Sequence, residues 1–183
     1  MQDSLWSMAA LAATVFLILL FLRAGWHKVA DYGRFLGFVA DYRLLPERLV
    51  EPVARLLIGA EFAVVALLAW PSQSALGAAA AAALLSLYAL AIGVNVARGR
   101  RRIDCGCGGT AQSLSWSLVI RNALLAALAL LAAAGGSRLL GAYAAAAAVF
   151  AGVLVWFAYN LVEQVIANGN RRLLLNGANQ TKH

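Results

Sequence analysis

Charge is what this sequence has least of. Of its 183 residues, 15 are Lys or Arg and 8 are Asp or Glu, so 13% carry charge, about half the roughly 25% usual for a soluble globular domain. With 63% hydrophobic residues, that scarcity excludes an ordinary soluble fold. Cysteine is almost missing as well. Cys105 and Cys107 are too few for a disulfide framework, though they can form one redox pair. Histidine is limited to His27 and His183, which are too far from the thiols in sequence to complete a four-ligand zinc site. Nor is there room for a separate soluble catalytic domain, because a handful of spans at about 20 residues each would consume most of the chain.

What is present is long apolar runs. Residues 5–22 contain no charge and reach the length of a membrane helix. No Lys or Arg precedes the run and no small-residue cleavage site follows it, so it is read as a first span and not as a cleaved signal. Further runs occupy residues 53–70, 75–97, 114–134 and 139–162. The expected fold is therefore an all-α integral membrane bundle of about five transmembrane helices. It forms one domain over residues 1–166, with a polar tail at 167–183. The Ala-rich stretches at 78–83 and 144–148 suit close helix packing in lipid.

Residues 23–52 are different in character. Trp26, Val29, Tyr32, Phe35, Leu36, Val39 and Tyr42 recur at helical spacing among charged residues, which predicts an amphipathic helix lying in the membrane interface. Pro46 and Pro52 punctuate the segment.

The formal charge of +7 and the pI near 10.1 do not point to nucleic acid, because the basic residues flank apolar runs and fit a partnership with membrane lipid. Five spans place residues 23–52, 98–113 and 163–183 on one face. Together with Arg55 at its edge, that face holds 13 of the 15 basic residues. By the positive-inside rule it is cytoplasmic.

Chemistry is concentrated in the loop after the third span, where Arg98, Arg100, Arg101 and Arg102 precede Cys105, Gly106 and Cys107. Nearby positive charge favours thiolate over thiol, while Asp104 opposes it. Gly106 permits the bend that a bridge between residues i and i+2 needs, and a small strained ring is easily reduced. A redox pair is one reading of these cysteines. A soft-metal site, of Cu(I) in particular, and a purely structural pair are the others.

Glu61 and Arg121 are ionisable residues inside spans, where charge is expensive and usually paired. Both are roughly 10–12 Å deep by helix rise, so an ion pair between them is expected, serving either as a structural tie or in a proton or substrate role. Asn95, Asn122, Lys28 and His27 gather at the same end of the bundle.

In this order the residues resemble the MauE proteins of methylamine utilisation, within a wider MauE/DoxX-like group of redox-associated membrane proteins built on a four-helix core. The matching features are residues 23–28, the run Tyr42, Arg43, Leu44, Leu45, Pro46, then Glu61 and residues 95–99. The Cys105, Gly106, Cys107, Gly108 loop follows, and then Ser115, Trp116, Arg121 and Asn122. The family often has Phe after the second cysteine, where this chain has Gly108.

The resemblance implies a protein of the bacterial inner membrane that assists maturation of a periplasmic amine dehydrogenase small subunit, by disulfide formation or isomerisation, with a thioredoxin-like partner. Cys105 and Cys107 would be catalytic, and Glu61, Arg121, Asn95, Asn122 and Lys28 supporting. A periplasmic client and the charge-derived cytoplasmic loop are opposed expectations. The competing class is a non-enzymatic assembly factor or chaperone for the same system. No cofactor is dictated by the residues: a quinone acceptor is chemically compatible with a membrane thiol pair, but no sequence pattern marks its site.

Overall fold

In the computed structural model, residues 2–100, 114–135 and 140–180 are described. Within them the protein is an all-α bundle: α1 (Gln2–Ala30), α2 (Tyr32–Asp41), α3 (Glu47–Ala69), α4 (Ser74–Ala97), α5 (Trp116–Ala134) and α6 (Ala142–Gln180). Five of these, all but α2, are long and apolar enough to cross a membrane. This is a multi-pass membrane protein.

The first helix runs through residues 23–30, which the sequence pattern had assigned to the interfacial segment, because nothing between Leu22 and Ala30 breaks a helix. The break comes at Asp31, whose carboxylate accepts from the backbone N–H of Arg34 and starts α2. The expected amphipathic helix is therefore the shorter α2, with Phe35 buried and Gly33, Arg34 and Gly37 exposed. Pro46 caps α3 with φ −63°, already suited to entering a helix. Pro52 lies within α3 and does not end it.

The helix α1 is central and packs against α2, α3, α4, α5 and α6, while α4 packs extensively on α5. Among the described residues, the backbone of α6 packs against α1, and α6 reaches α5 through a side-chain ion pair, so α1, α3, α4 and α5 form a four-helix core to which α6 is added. The core holds Leu17, Phe21, Val64, Leu85 and Leu125, with the small residues Ala78, Ala81 and Ala129 between them. Close approach explains the small residues. A Cβ on Gly152 would come 2.5 Å from the carbonyl oxygen of Ala12 and 2.9 Å from Val15 Cβ. The outer faces carry exposed Leu56, Leu90, Ile120, Leu124, Phe150 and Val165, as helices solvated by lipid do. Trp6, Trp26, Trp70 and Trp116 are also exposed and fit interface anchoring.

Candidate functional site: a buried ion pair at the wall of an apolar cleft

A lysine two residues from the end of α1 would ordinarily reach for water. Lys28 instead turns into the bundle, where Nζ donates to Glu61 Oε1 on α3 at 2.6 Å, and the two side chains are 4% and 1% exposed. The hydroxyl of Tyr88 on α4 donates to the same oxygen at 2.8 Å. Nine residues of α4 follow Tyr88, so the triad lies roughly 13 Å inside that helix's end. Burying one such charge alone is prohibitive; opposite charges in contact, with a further hydrogen bond, make the burial tolerable. Glu61 Oε2 has no hydrogen-bond partner among the described residues. Gly25 of α1 makes room for this arrangement, since a Cβ there would stand 3.2 Å from the Phe62 ring and 3.6 Å from Oε2.

The expected Glu61–Arg121 pair does not form. The helices that carry them, α3 and α5, are not packed neighbours among the described residues, whereas α1 faces α3 and brings Lys28 to Glu61. Arg121 pairs with Glu163 on α6, its Nη1 donating to both carboxylate oxygens at 3.0 Å. Glu163, read from the sequence as the first residue of the polar stretch after the last span, lies within α6, which continues to Gln180.

Asn95 and Asn122 are buried, each donating its side-chain amide to the carbonyl four residues earlier in its own helix: Asn95 to Ala91 at 3.1 Å and Asn122 to Leu118 at 2.8 Å. Asn95 Oδ1 is left without a partner among the described residues. Beside it lies a second apolar cluster of Ile92, Val96, Leu114 and Leu118, with Tyr42 packed on it. The Arg100 guanidinium donates to the Tyr42 carbonyl at 3.4 Å, so the ends of α2 and α4 lie together. Burial of Tyr42 pushes its hydroxyl up to a pKa of about 12 against the opposing pull of Arg121. This end of the bundle receives both ends of the loop that carries Cys105 and Cys107. The cysteines themselves are outside the described residues.

Outside the ion pair, α2, α3 and α4 enclose an apolar cleft of about 260 Å³, walled by Phe35, Phe38, Tyr42, Leu57, Tyr88 and Lys28 among others. Lys28 Nζ stands 5.4 Å from the Phe35 ring centre and 5.5 Å from that of Tyr88, within cation–π range. Chemically, the site offers a neutralised ion pair, a cation with further N–H groups, and aromatic walls.

The family model described as "Methylamine utilisation protein MauE" matches residues 6–135. The chain belongs to the MauE family. It is 46% identical over 121 residues to the methylamine utilization protein MauE of Paracoccus versutus, covering 65% of each chain. It is 43% identical over 126 residues to that of Paracoccus denitrificans, covering 68% of each. Against the protein of Methylorubrum extorquens the figures are 44% over 113 residues and 61% of each chain. The match thus spans about two thirds of these relatives, and less than that in the first and the third. No solved structure matches. The part shared with the MauE family runs from α1 to α5 and holds Lys28, Glu61, Tyr88, Asn95, Arg121 and Asn122, as well as both cysteines; Glu163 and α6 lie beyond it.

Three members of the site were missed by sequence reasoning. Tyr88 is the only side chain with a hydroxyl, besides Ser86, in the central part of α4, and that isolation was its signal. Glu163 follows Tyr159 and Asn160 without a proline or glycine to stop the helix, which was enough to extend α6 past it. Tyr42 was read as an apolar contact of the amphipathic segment; its place beside Arg100 had no local signal.

Proposed function

We propose that this protein is a thiol–disulfide redox protein of the bacterial inner membrane that assists maturation of an amine dehydrogenase small subunit in methylamine utilisation, working with a thioredoxin-like partner. The observation that carries the reading is a Cys-Gly-Cys loop within the stretch matched to the MauE family. Its support is the setting: the described residues before and after the loop, Arg100 and Leu114, are both held at the polar end of the bundle.

In this reading the thiolate of one cysteine attacks a partner disulfide, forming a mixed disulfide and releasing one partner thiolate. The second cysteine then attacks the mixed disulfide, leaving Cys105 and Cys107 bridged and the partner reduced; the reverse sequence oxidises the partner. The neighbouring arginines favour the thiolate that must attack. Glu61, Lys28, Arg121, Asn95 and Asn122 act as supporting residues: Asn95 lies on α4 and Arg121 and Asn122 on α5, the helices that flank the loop, while Lys28 and Glu61 tie α1 and α3 to α4 through Tyr88.

The test is a strain that carries Cys105→Ser with Cys107→Ser. Loss of mature dehydrogenase, with the protein still present in the membrane, is expected, and the single variant that keeps the attacking cysteine and lacks the resolving one should accumulate a mixed disulfide that is trapped by alkylation. Full maturation in the double variant would overturn the redox reading and leave an assembly factor whose cysteines are incidental. Stoichiometric copper that is lost in the double variant would replace it with Cu(I) handling.

A further inference from the structure

We propose that the cleft between α2, α3 and α4 binds a lipid-soluble quinone ring. The proposal concerns binding and stands independently of the thiol reading. Four features of the cleft select the ligand. Its volume of about 260 Å³ is below the usual 300–1,000 Å³ of sites that enclose a whole small molecule and suits one substituted ring. Leu44 and Leu87 at its margin are 39% and 51% exposed, so a hydrocarbon tail can leave past them into the bilayer.

Aromatic rings from α2 and its C-terminal cap, Phe35, Phe38 and Tyr42, and from α4, Tyr88, form its walls and favour a flat ring by stacking or edge contact. The cation on the wall is Lys28, and the Tyr88 hydroxyl beside it is already given to Glu61. An ammonium has three N–H donors, and the structure shows one hydrogen bond, to Glu61. The remaining N–H groups have the Phe35 and Tyr88 rings near them and no further hydrogen-bond acceptor among the described residues, and an acyl chain cannot provide one. Because Glu61 already balances the charge, that acceptor belongs to a neutral ligand, as the carbonyl oxygen of a quinone does.

The experiment uses the purified full-length protein in detergent, with decylubiquinone as ligand and decylbenzene, which has the same chain and a ring without carbonyls, as comparison. Saturable binding of decylubiquinone is expected, tighter than that of decylbenzene by about tenfold or more, the worth of one hydrogen bond to a charged donor. Ala91→Phe and Val39→Trp, which fill the cleft from α4 and α2 without touching the ion pair, should each weaken it by a similar factor. A photoreactive azidoquinone should label peptides of α2 or α4. The variant without Cys105 and Cys107 should bind as the natural chain does, which separates this proposal from the thiol mechanism. Equal affinity for decylbenzene would make the cleft a lipid-chain groove and overturn the proposal, as would binding that neither filling variant reduces.

Discussion

Lys28 on α1 and Glu61 on α3 form a salt bridge of 2.6 Å with both side chains sealed from solvent. A pair so buried earns little net stability, because desolvation offsets the attraction, but either partner left alone is severely unfavourable. Lys28→Met is therefore expected to destabilise the protein by about 3 kcal/mol or more, and Lys28→Met with Glu61→Leu to recover most of that loss. Thermal unfolding in detergent measures both. Additive losses in the double variant would show that the two charges do not interact.

Tyr88 shares the Glu61 oxygen, so Tyr88→Phe removes one hydrogen bond to a charged acceptor while keeping the ring beside Lys28. A loss of about 1.5–3 kcal/mol is expected in the natural background. In the Lys28→Met, Glu61→Leu background the same change should cost much less, since the hydroxyl then has no carboxylate to meet. An equal cost in both backgrounds would detach Tyr88 from the ion pair.

Arg121 and Glu163 join α5 to α6, two helices that otherwise do not pack on each other among the described residues. Their side chains are 18% and 21% exposed, so the pair is partly screened, and Glu163→Ala should cost about 0.5–1.5 kcal/mol, the range of polar contacts between membrane helices. The charge exchange Arg121→Glu with Glu163→Arg should be more stable than either single reversal. If it is no better than their sum, the contact contributes nothing.

How far the sequence alone foretold these contacts depends on what each one required. The spans were legible because residues 5–22 and 75–97 leave a helix no other way to satisfy its backbone in lipid. The end of α1 was not, since an apolar run stops being informative where charged residues begin, and only the cap at Asp31 fixes it. That Glu61 needs a partner was legible from its cost in a span. The identity of that partner was not, because the sequence pattern puts Arg121 at the depth of Glu61 and Lys28 beyond the first span, and only the continuation of α1 to Ala30 against α3 brings Lys28 to the carboxylate. Tyr88 and Glu163 entered the site by helix rotation and helix length, two properties that hydropathy does not report.

Alkaline pH reaches the polar end of the bundle through Tyr42. Its hydroxyl is held neutral to about pH 12 by burial, whereas in the unfolded chain a tyrosine ionises near 10. Between those values the unfolded chain binds fewer protons than the folded one, so the Tyr42 contribution to stability falls as pH rises from 10 towards 12, and it is fully present below 10. Unfolding midpoints measured across this window should fall less steeply in Tyr42→Phe than in the natural chain. Parallel curves would mean that Tyr42 is not shielded in solution.

Gly152 offers the sharpest test of how α6 is seated. The Ala12 carbonyl and Val15 lie where its side chain would be, and backbone cannot retreat as a flexible side chain can. Gly152→Ala should therefore push α6 from α1 and cost about 1–3 kcal/mol, as overpacking does. Gly59, within α3, has nothing within 4 Å of its Cβ position, and Gly59→Ala should be neutral or stabilising by about 0.5–1 kcal/mol through the better helix propensity of alanine. Because both substitutions add the same methyl group to a membrane helix, the difference between their unfolding midpoints isolates packing from propensity. Midpoints that shift alike would mean that α6 is not held against α1 at this point.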